Sequence, residues 1–242
     1  MNKIILVGKA AAGKDHMRKI LSGRGFQYGI SYTQKEAGFK VNTKEHVLEV
    51  EMNARTYDLT AKLKKHLVIE GNNDVILADT PVKLMMKLHQ MYSGTVKFES
   101  GNSMILDLSK AQFIHDNFAD VQVGIFYKFK EELSALKSVF GKDLTENLED
   151  FDTGQYKVIA LQIVSGREGI SLKNADYIVF YNIDFSATSY WQARDRMTTK
   201  DRKHNKIYWV FAKNGIEGKI YKAVSNKKDY TLSHFRADLI SL

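Results

Sequence analysis

The chain contains no cysteine. That removes disulfides, thiolate metal sites and thiol nucleophiles together, and it suits a reducing cytoplasm. Proline is nearly absent, with Pro81 the single one in 242 residues. Long hydrophobic runs are missing too. The opening NKIILV is of strand length, too short for the apolar region of a signal peptide or for crossing a bilayer, so a soluble cytoplasmic protein with no membrane partner is expected. Charge is unbalanced the other way: Lys and Arg number 36 against 28 Asp and Glu, a net +8. Such an excess favours a polyanionic partner through counterion release, but a solvated basic surface gives the same count. Hydrophobic residues make up 44% of the chain, enough for an ordinary core, and the length fits one large domain or two small ones.

Short apolar runs recur at Val121–Tyr127, Tyr156–Ile163, Tyr177–Tyr181 and Lys206–Ala212, separated by helical or loop material. Runs apolar on both faces and linked by helices predict an α/β fold, a mostly parallel sheet flanked by helices. Upstream, His46 to Met52 alternates as a strand, and a helix is expected from Asn53 or Ala54. Asp79 to Tyr92 reads as a helix with Pro81 near its start and a core stripe of Val82, Leu84, Met85, Leu88 and Met91. Gly94 ends it, Thr95 to Ser103 looks like a small exposed hairpin, and Ser109 is placed to cap the helix that opens at Leu108–Ala111. The acidic segment GKDLTENLEDFDTG after Phe140 reads as a solvated loop or short helix.

The stretch that organises these signals is Gln162 to Arg202: a buried strand, a Gly-bearing turn, a second buried strand and a polar, basic helix. Loops at the carboxyl ends of parallel strands, followed by a basic helix, are where open α/β sheets handle phosphate. A second phosphate signal lies at the start, where NKIILV runs into Gly8-Lys9-Ala10-Ala11-Ala12-Gly13-Lys14, matching G-x-x-x-x-G-K. The glycines let backbone N–H groups curl around a phosphate, and the lysine reaches the terminal phosphates. Asp15 stands where the usual Ser or Thr would hold magnesium. Residues 4–33, including Ser31-Tyr32-Thr33, resemble the opening of guanylate kinase and phage nucleotide-kinase families, a P-loop β-α-β fragment. The chain continues Gln34-Lys35-Glu36-Ala37 rather than with the arginines that grip an acceptor phosphate. A complete kinase is therefore not expected, and the chain divides into a kinase-like fragment, 1–33, and a second domain, 34–242.

Residues 55–220 resemble the C-terminal RecA-like lobe of superfamily-two helicases, most closely the Swi/Snf-type branch with its shorter phage-encoded members. Lys87-Leu88-His89-Gln90 with Gly94 is similar to the K-L-x-Q-x-x-x-G lead-in, Ser109-Lys110 to the S-K opening the lobe's first helix, and residues 124–136, GIFYKFKEELSAL, to motif IV. Ser165-Gly166-Arg167-Glu168-Gly169-Ile170-Ser171-Leu172 resembles motif V, and Gln192-Ala193-Arg194-Asp195-Arg196 resembles motif VI. Asn205, Gly215-Ile216-Glu217 and Ile220 follow with the spacing of the last strand and helix.

This resemblance implies specific roles. Gln192 and Arg196, four apart and hence on one helix face, would be catalytic, with the arginine stabilising charge on a transferring γ-phosphoryl group. Glu168 and Gly169 join Gly8, Gly13, Lys14 and Asp15 of the P-loop as cofactor-binding candidates. A glycine-bearing turn after a buried strand also brings backbone close to phosphate. Lys110, Lys128, Lys130, Ser165 and Gly166 are the nucleic-acid-binding candidates. ATP and magnesium are the implied cofactors, and no protein metal site is assigned. DNA and a protein supplying a first helicase lobe are the implied partners, in the cytoplasm of a phage-infected or bacterial cell.

The pattern is incomplete in two respects. Thr199 stands where motif VI carries its second arginine, and no D-E-x-H box of a first lobe occurs. Arg194, Arg196 and Arg202 also read as a basic helix face paired with Asp195 and Asp201. Three functions stay open: a helicase lobe that binds DNA without hydrolysing ATP alone, a non-enzymatic interaction protein derived from such a lobe, and a DNA-stimulated ATPase using the N-terminal P-loop.

Overall fold

The computed structural model describes residues 42–71, 74–163, 172, 174–194 and 204–240, which belong to one compact unit, Asn42–Leu242. The P-loop residues Gly8, Gly13, Lys14 and Asp15 lie outside the described residues, as do Ser165, Gly166, Glu168, Gly169, Arg196 and Thr199.

The expected parallel sheet is present, with six strands in the order β1-β10-β9-β6-β8-β7. These are β1 (Asn42–Val50), β6 (Val123–Tyr127), β7 (Leu144–Thr145), β8 (Val158–Gln162), β9 (Tyr177–Phe180) and β10 (His204–Ala212). Every pairing in this sheet is parallel. The central strand β6, VGIFY, is buried at every position, as a strand covered on both faces must be. Its side chains alternate between two cores. Val123, Ile125 and Tyr127 join Val158, Ala160, Val179 and Val210 on one face. Phe126 joins Ile159, Ile178, Phe180, Ile207 and Trp209 on the other.

Helices α3 (Ser109–Phe118) and α4 (Lys130–Phe140) cover the first face through Ala111, Ile114, Phe118, Ala135, Leu136 and Phe140. The second face is covered by α1 (Ala54–His66), α2 (Pro81–Tyr92), α6 (Ala187–Arg194), α7 (Glu217–Ser225) and α8 (Leu232–Ile240). The α2 stripe is built by Leu84, Met85, Leu88 and Met91, while Val82 points out at 50% exposure. Each fully buried aliphatic or aromatic side chain contributes about 1.5–3 kcal/mol relative to exposure, so the alternation along each strand ties both helical layers to one sheet. Among the described residues no helix is long and apolar enough to cross a membrane.

Several local expectations change. The strand expected at His46–Met52 starts four residues earlier and pairs with β10 at nine positions on the sheet edge. The acidic segment after Phe140 contains a short helix, α5 (Leu148–Asp152), but also edge strand β7. The short helix is one of the two readings the sequence allowed; Leu144, Thr145 and Phe151, at 8%, 8% and 0% exposure, bury the segment's inner side. The hairpin, β4 (Thr95–Lys97) against β5 (Ser103–Ile105), is exposed only beyond its root, because Thr95 and Val96 are each 2% exposed. A smaller antiparallel pair, β2 (Val68–Glu70) with β3 (Val75–Leu77), sits between α1 and α2 in sequence.

Ser109 is the first residue of α3 rather than its cap. The capping acceptor is Asp107, whose Oδ1 receives Ser109 N at 2.8 Å while Oδ2 receives Asn53 N at 2.7 Å and Thr56 Oγ1 at 2.8 Å. One carboxylate thus serves the N-termini of both α1 and α3. Burial alone would raise its pKa, but these hydrogen bonds outweigh that and hold Asp107 below the ordinary carboxylate value.

Gly94 makes the turn after α2 and holds the backbone of the residue that bears this carboxylate, accepting Asp107 N at 3.1 Å. Its φ is +83°, its carbonyl accepts Leu106 N at 2.8 Å, and a Cβ there would stand 2.3 Å from the Asp107 carbonyl oxygen. Gly94→Ala therefore combines left-handed strain with a backbone clash. It is expected to cost at least about 2 kcal/mol, seen as a lower urea midpoint with an unchanged slope.

Candidate nucleotide and nucleic-acid interface at the carboxyl edge of the sheet

The segments read as motifs IV, V and VI all leave the same edge of the sheet. β6 runs through Lys128 and Phe129 into α4, β8 runs through Ile163 towards residues 164–171, and β9 runs through Tyr181–Ser186 into α6, which leads to residues 195–203. Backbone pairing continues past the strands, with Ile163 N donating to Tyr127 O at 2.8 Å and Tyr181 N to Phe126 O at 2.9 Å.

A buried polar framework holds these exits. Glu132, in the first turn of α4, reaches back so that Oε2 accepts Lys128 N at 2.6 Å and Phe129 N at 3.1 Å. A strand-to-helix junction of this kind leaves N–H groups without partners, and a carboxylate at that helix position satisfies them. Glu132 Oε1 accepts from Asn182 Nδ2, and Asn182 Oδ1 in turn accepts Ile183 N at 2.7 Å and lies 2.5 Å from His89 Nε2 of α2. Glu132, Asn182 and His89 are all 0% exposed. Burial pushes the Glu132 pKa up against the pull of its donors. Burial and the nearby Lys128 charge hold His89 well below the ordinary imidazole value, so His89 is neutral and donates through Nε2–H.

Lys110 corrects the sequence-based reading. Its ammonium is 3.1 Å from Glu217 Oε1, both side chains are 0% exposed, and it lies 4.9 Å from the centre of the Tyr181 ring. A lysine enclosed in this way presents no charge to a nucleic-acid backbone. Glu217 Oε1 also accepts Ala212 N at 3.5 Å, and Gly215 leaves room for the same carboxylate, since a Cβ there would meet Oε2 at 2.2 Å. Lys128 is engaged as well: its Nζ is 2.7 Å from Asp184 Oδ1, with the two side chains 16% and 21% exposed, and 4.8 Å from the Phe185 ring centre. Burial would raise the Asp184 pKa, but the Lys128 charge leads the effects that bring it below the usual value. Of the three lysines expected to contact nucleic acid, Lys130 is the exposed one, at the start of α4.

On α6, Gln192 is exposed while Tyr190 and Ala193 are buried. Arg194, read as a surface cation beside Asp195, instead places Nε on Glu45 of β1. No cluster of three or more His, Cys, Asp or Glu able to hold a metal occurs among the described residues. Sequence reasoning missed Glu132, Asn182, His89 and Glu45. Only Glu132 carried a local signal, an acid in the third position of a helix that follows a buried strand.

Comparison with known proteins agrees with this layout. Residues 137–198 match the family model described as helicase conserved C-terminal domain. A crystal structure of the C-terminal part of the Fun30 ATPase domain aligns with a TM-score of 0.54 at 16% identity, covering 79% of this chain and 91% of that one. The fold is that of a helicase C-terminal RecA-like lobe. No curated protein matches. The family match spans β8, β9 and α6 together with the motif V and VI segments.

The buried pair gives a direct test of its structural role. Lys110→Ala strands the Glu217 carboxylate and is expected to cost about 3–5 kcal/mol in urea unfolding, whereas Lys110→Met combined with Glu217→Leu, which removes both charges, recovers most of that loss.

Proposed function

We propose that the chain works as the second RecA-like lobe of a Swi/Snf-like, nucleic-acid-dependent ATPase, binding DNA and contributing half of an ATP site that a first lobe completes. The observation that carries this reading is the convergence of three chain exits, after β6, β8 and β9, on one edge of a parallel sheet, with the family match covering the latter two. Parallel α/β sheets bind phosphate-bearing ligands outside the carboxyl ends of their strands.

Within that reading, Gln192 and Arg196 face the nucleotide, Glu168 and Gly169 lie at the junction between lobes, and Ser165, Gly166 and Lys130 meet the DNA backbone. Exposed Gln192 fits this assignment. Arg196 would supply positive charge to the γ-phosphoryl group, a contribution on the order of several powers of ten in related phosphoryl transfers. Magnesium would be held by carboxylates of the completed two-lobe site. Lys128 acts as a brace for the loop after β9 rather than as a phosphate contact.

A labelled single strand or duplex should bind at low salt irrespective of sequence and dissociate as salt rises. The chain alone should hydrolyse ATP no faster with DNA than without it. Lack of DNA binding at low salt would count against the lobe reading. DNA-stimulated hydrolysis abolished by Lys14→Ala would instead favour a complete site built with the N-terminal P-loop.

A further inference from the structure

Helix α6 carries exposed Gln192 and precedes Arg196 in sequence, and it is short: Ala187, Ser189, Tyr190 and Ala193 are its buried residues. Beside that apolar packing it has a polar anchor on edge strand β1. The carboxylate of Glu45, on β1, receives Tyr190 OH at 2.7 Å, Trp209 Nε1 at 3.0 Å and Tyr221 OH at 3.3 Å on Oε2, and the Arg194 guanidinium on Oε1. Those donors come from α6, β10 and α7. Glu45 is 13% exposed and Arg194 24%, so the ion pair is partly desolvated and stronger than a surface pair. Around it the rings close up, with Tyr190 stacked on Trp209 at 5.2 Å between centroids and the Arg194 guanidinium 4.8 Å from the Trp191 ring.

The spacing on α6 makes this attachment directional. Tyr190 and Arg194 are four residues apart and share a helix face. Gln192, two residues from each, lies about 200° away around the axis at 100° per residue. Fixing the first two on Glu45 therefore turns Gln192 outward. The geometry points to Glu45 as a positioning residue that sets the rotation of α6, and with it the presentation of Gln192. The functional meaning of that rotation rests on the lobe reading above; the anchoring does not.

Both tryptophans of the chain, Trp191 and Trp209, sit at this junction, so selectively excited tryptophan fluorescence reports on it. Hydrogen exchange read peptide by peptide on the full chain supplies the test. Glu45→Gln, which keeps an acceptor and removes the charge, should speed exchange in the α6 peptide by about tenfold or more and raise acrylamide quenching of tryptophan. Peptides from β6 and β8 should stay at the wild-type rate. The double variant Glu45→Gln with Arg194→Gln, which replaces the ion pair by a neutral amide pair, should recover part of the α6 protection. Wild-type α6 exchange in both Glu45→Gln and Glu45→Ala would overturn the proposal, as would a uniform loosening of α6, β6 and β8 together or a double variant worse than either single one. DNA binding by the wild-type chain, measured alongside, separates the two ideas: its absence contradicts the lobe reading and leaves the anchoring standing.

Discussion

A sheet buried on both faces forces its chain exits into a dry environment, where every N–H, amide and carboxylate needs a partner. Here that constraint is met by Glu132, whose two oxygens take the Lys128 and Phe129 amides and the Asn182 side chain. The loops after β6 and β9 are thereby fixed to one another, and His89 ties both to α2. Burying a carboxylate costs several kcal/mol unless it is well supplied with donors. The number of donors converging on Glu132 explains why an acid is tolerated at 0% exposure. Removing any one partner leaves buried polar groups uncompensated.

The same accounting redistributes the chain's positive charge. A net +8 favours an anionic partner, but Lys110 and Lys128 spend their charges on Glu217 and Asp184 within the lobe. Arg194 spends its charge on Glu45. What remains for a phosphate backbone is exposed charge such as Lys130, with whatever residues 164–171 and 195–203 supply. An interface of the proposed kind would be positioned by internal ion pairs and charged by other residues.

The sequence disclosed the sheet well because its strands are apolar on both faces: VGIFY, VIALQ and YIVF contain no charged residue to confuse the pattern. The helix over Pro81–Tyr92 was equally legible from its stripe and its terminal Gly94. Strand β7 was hidden because it has two residues in an acidic stretch, too short for any alternation to show. The buried lysine was hidden for a different reason. Lys110 follows Ser109 in a pattern that resembles a nucleic-acid-facing helix start, and its partner Glu217 is 107 residues away. Long-range charge pairing leaves no mark on local spacing. Glu45 shows the same limit: it precedes the strand read at His46–Met52, and its donors lie 145 to 176 residues away.

The claim that Lys110 serves the fold while exposed Lys130 serves the ligand is tested most directly by the salt dependence of DNA affinity. In that measurement the slope of log affinity against log salt counts the phosphates neutralised. Lys110→Met with Glu217→Leu should leave the slope of the wild-type chain unchanged, while Lys130→Ala should reduce its magnitude by about 1. A slope that falls on removing the Lys110–Glu217 pair and stays constant on removing Lys130 would contradict the assignment.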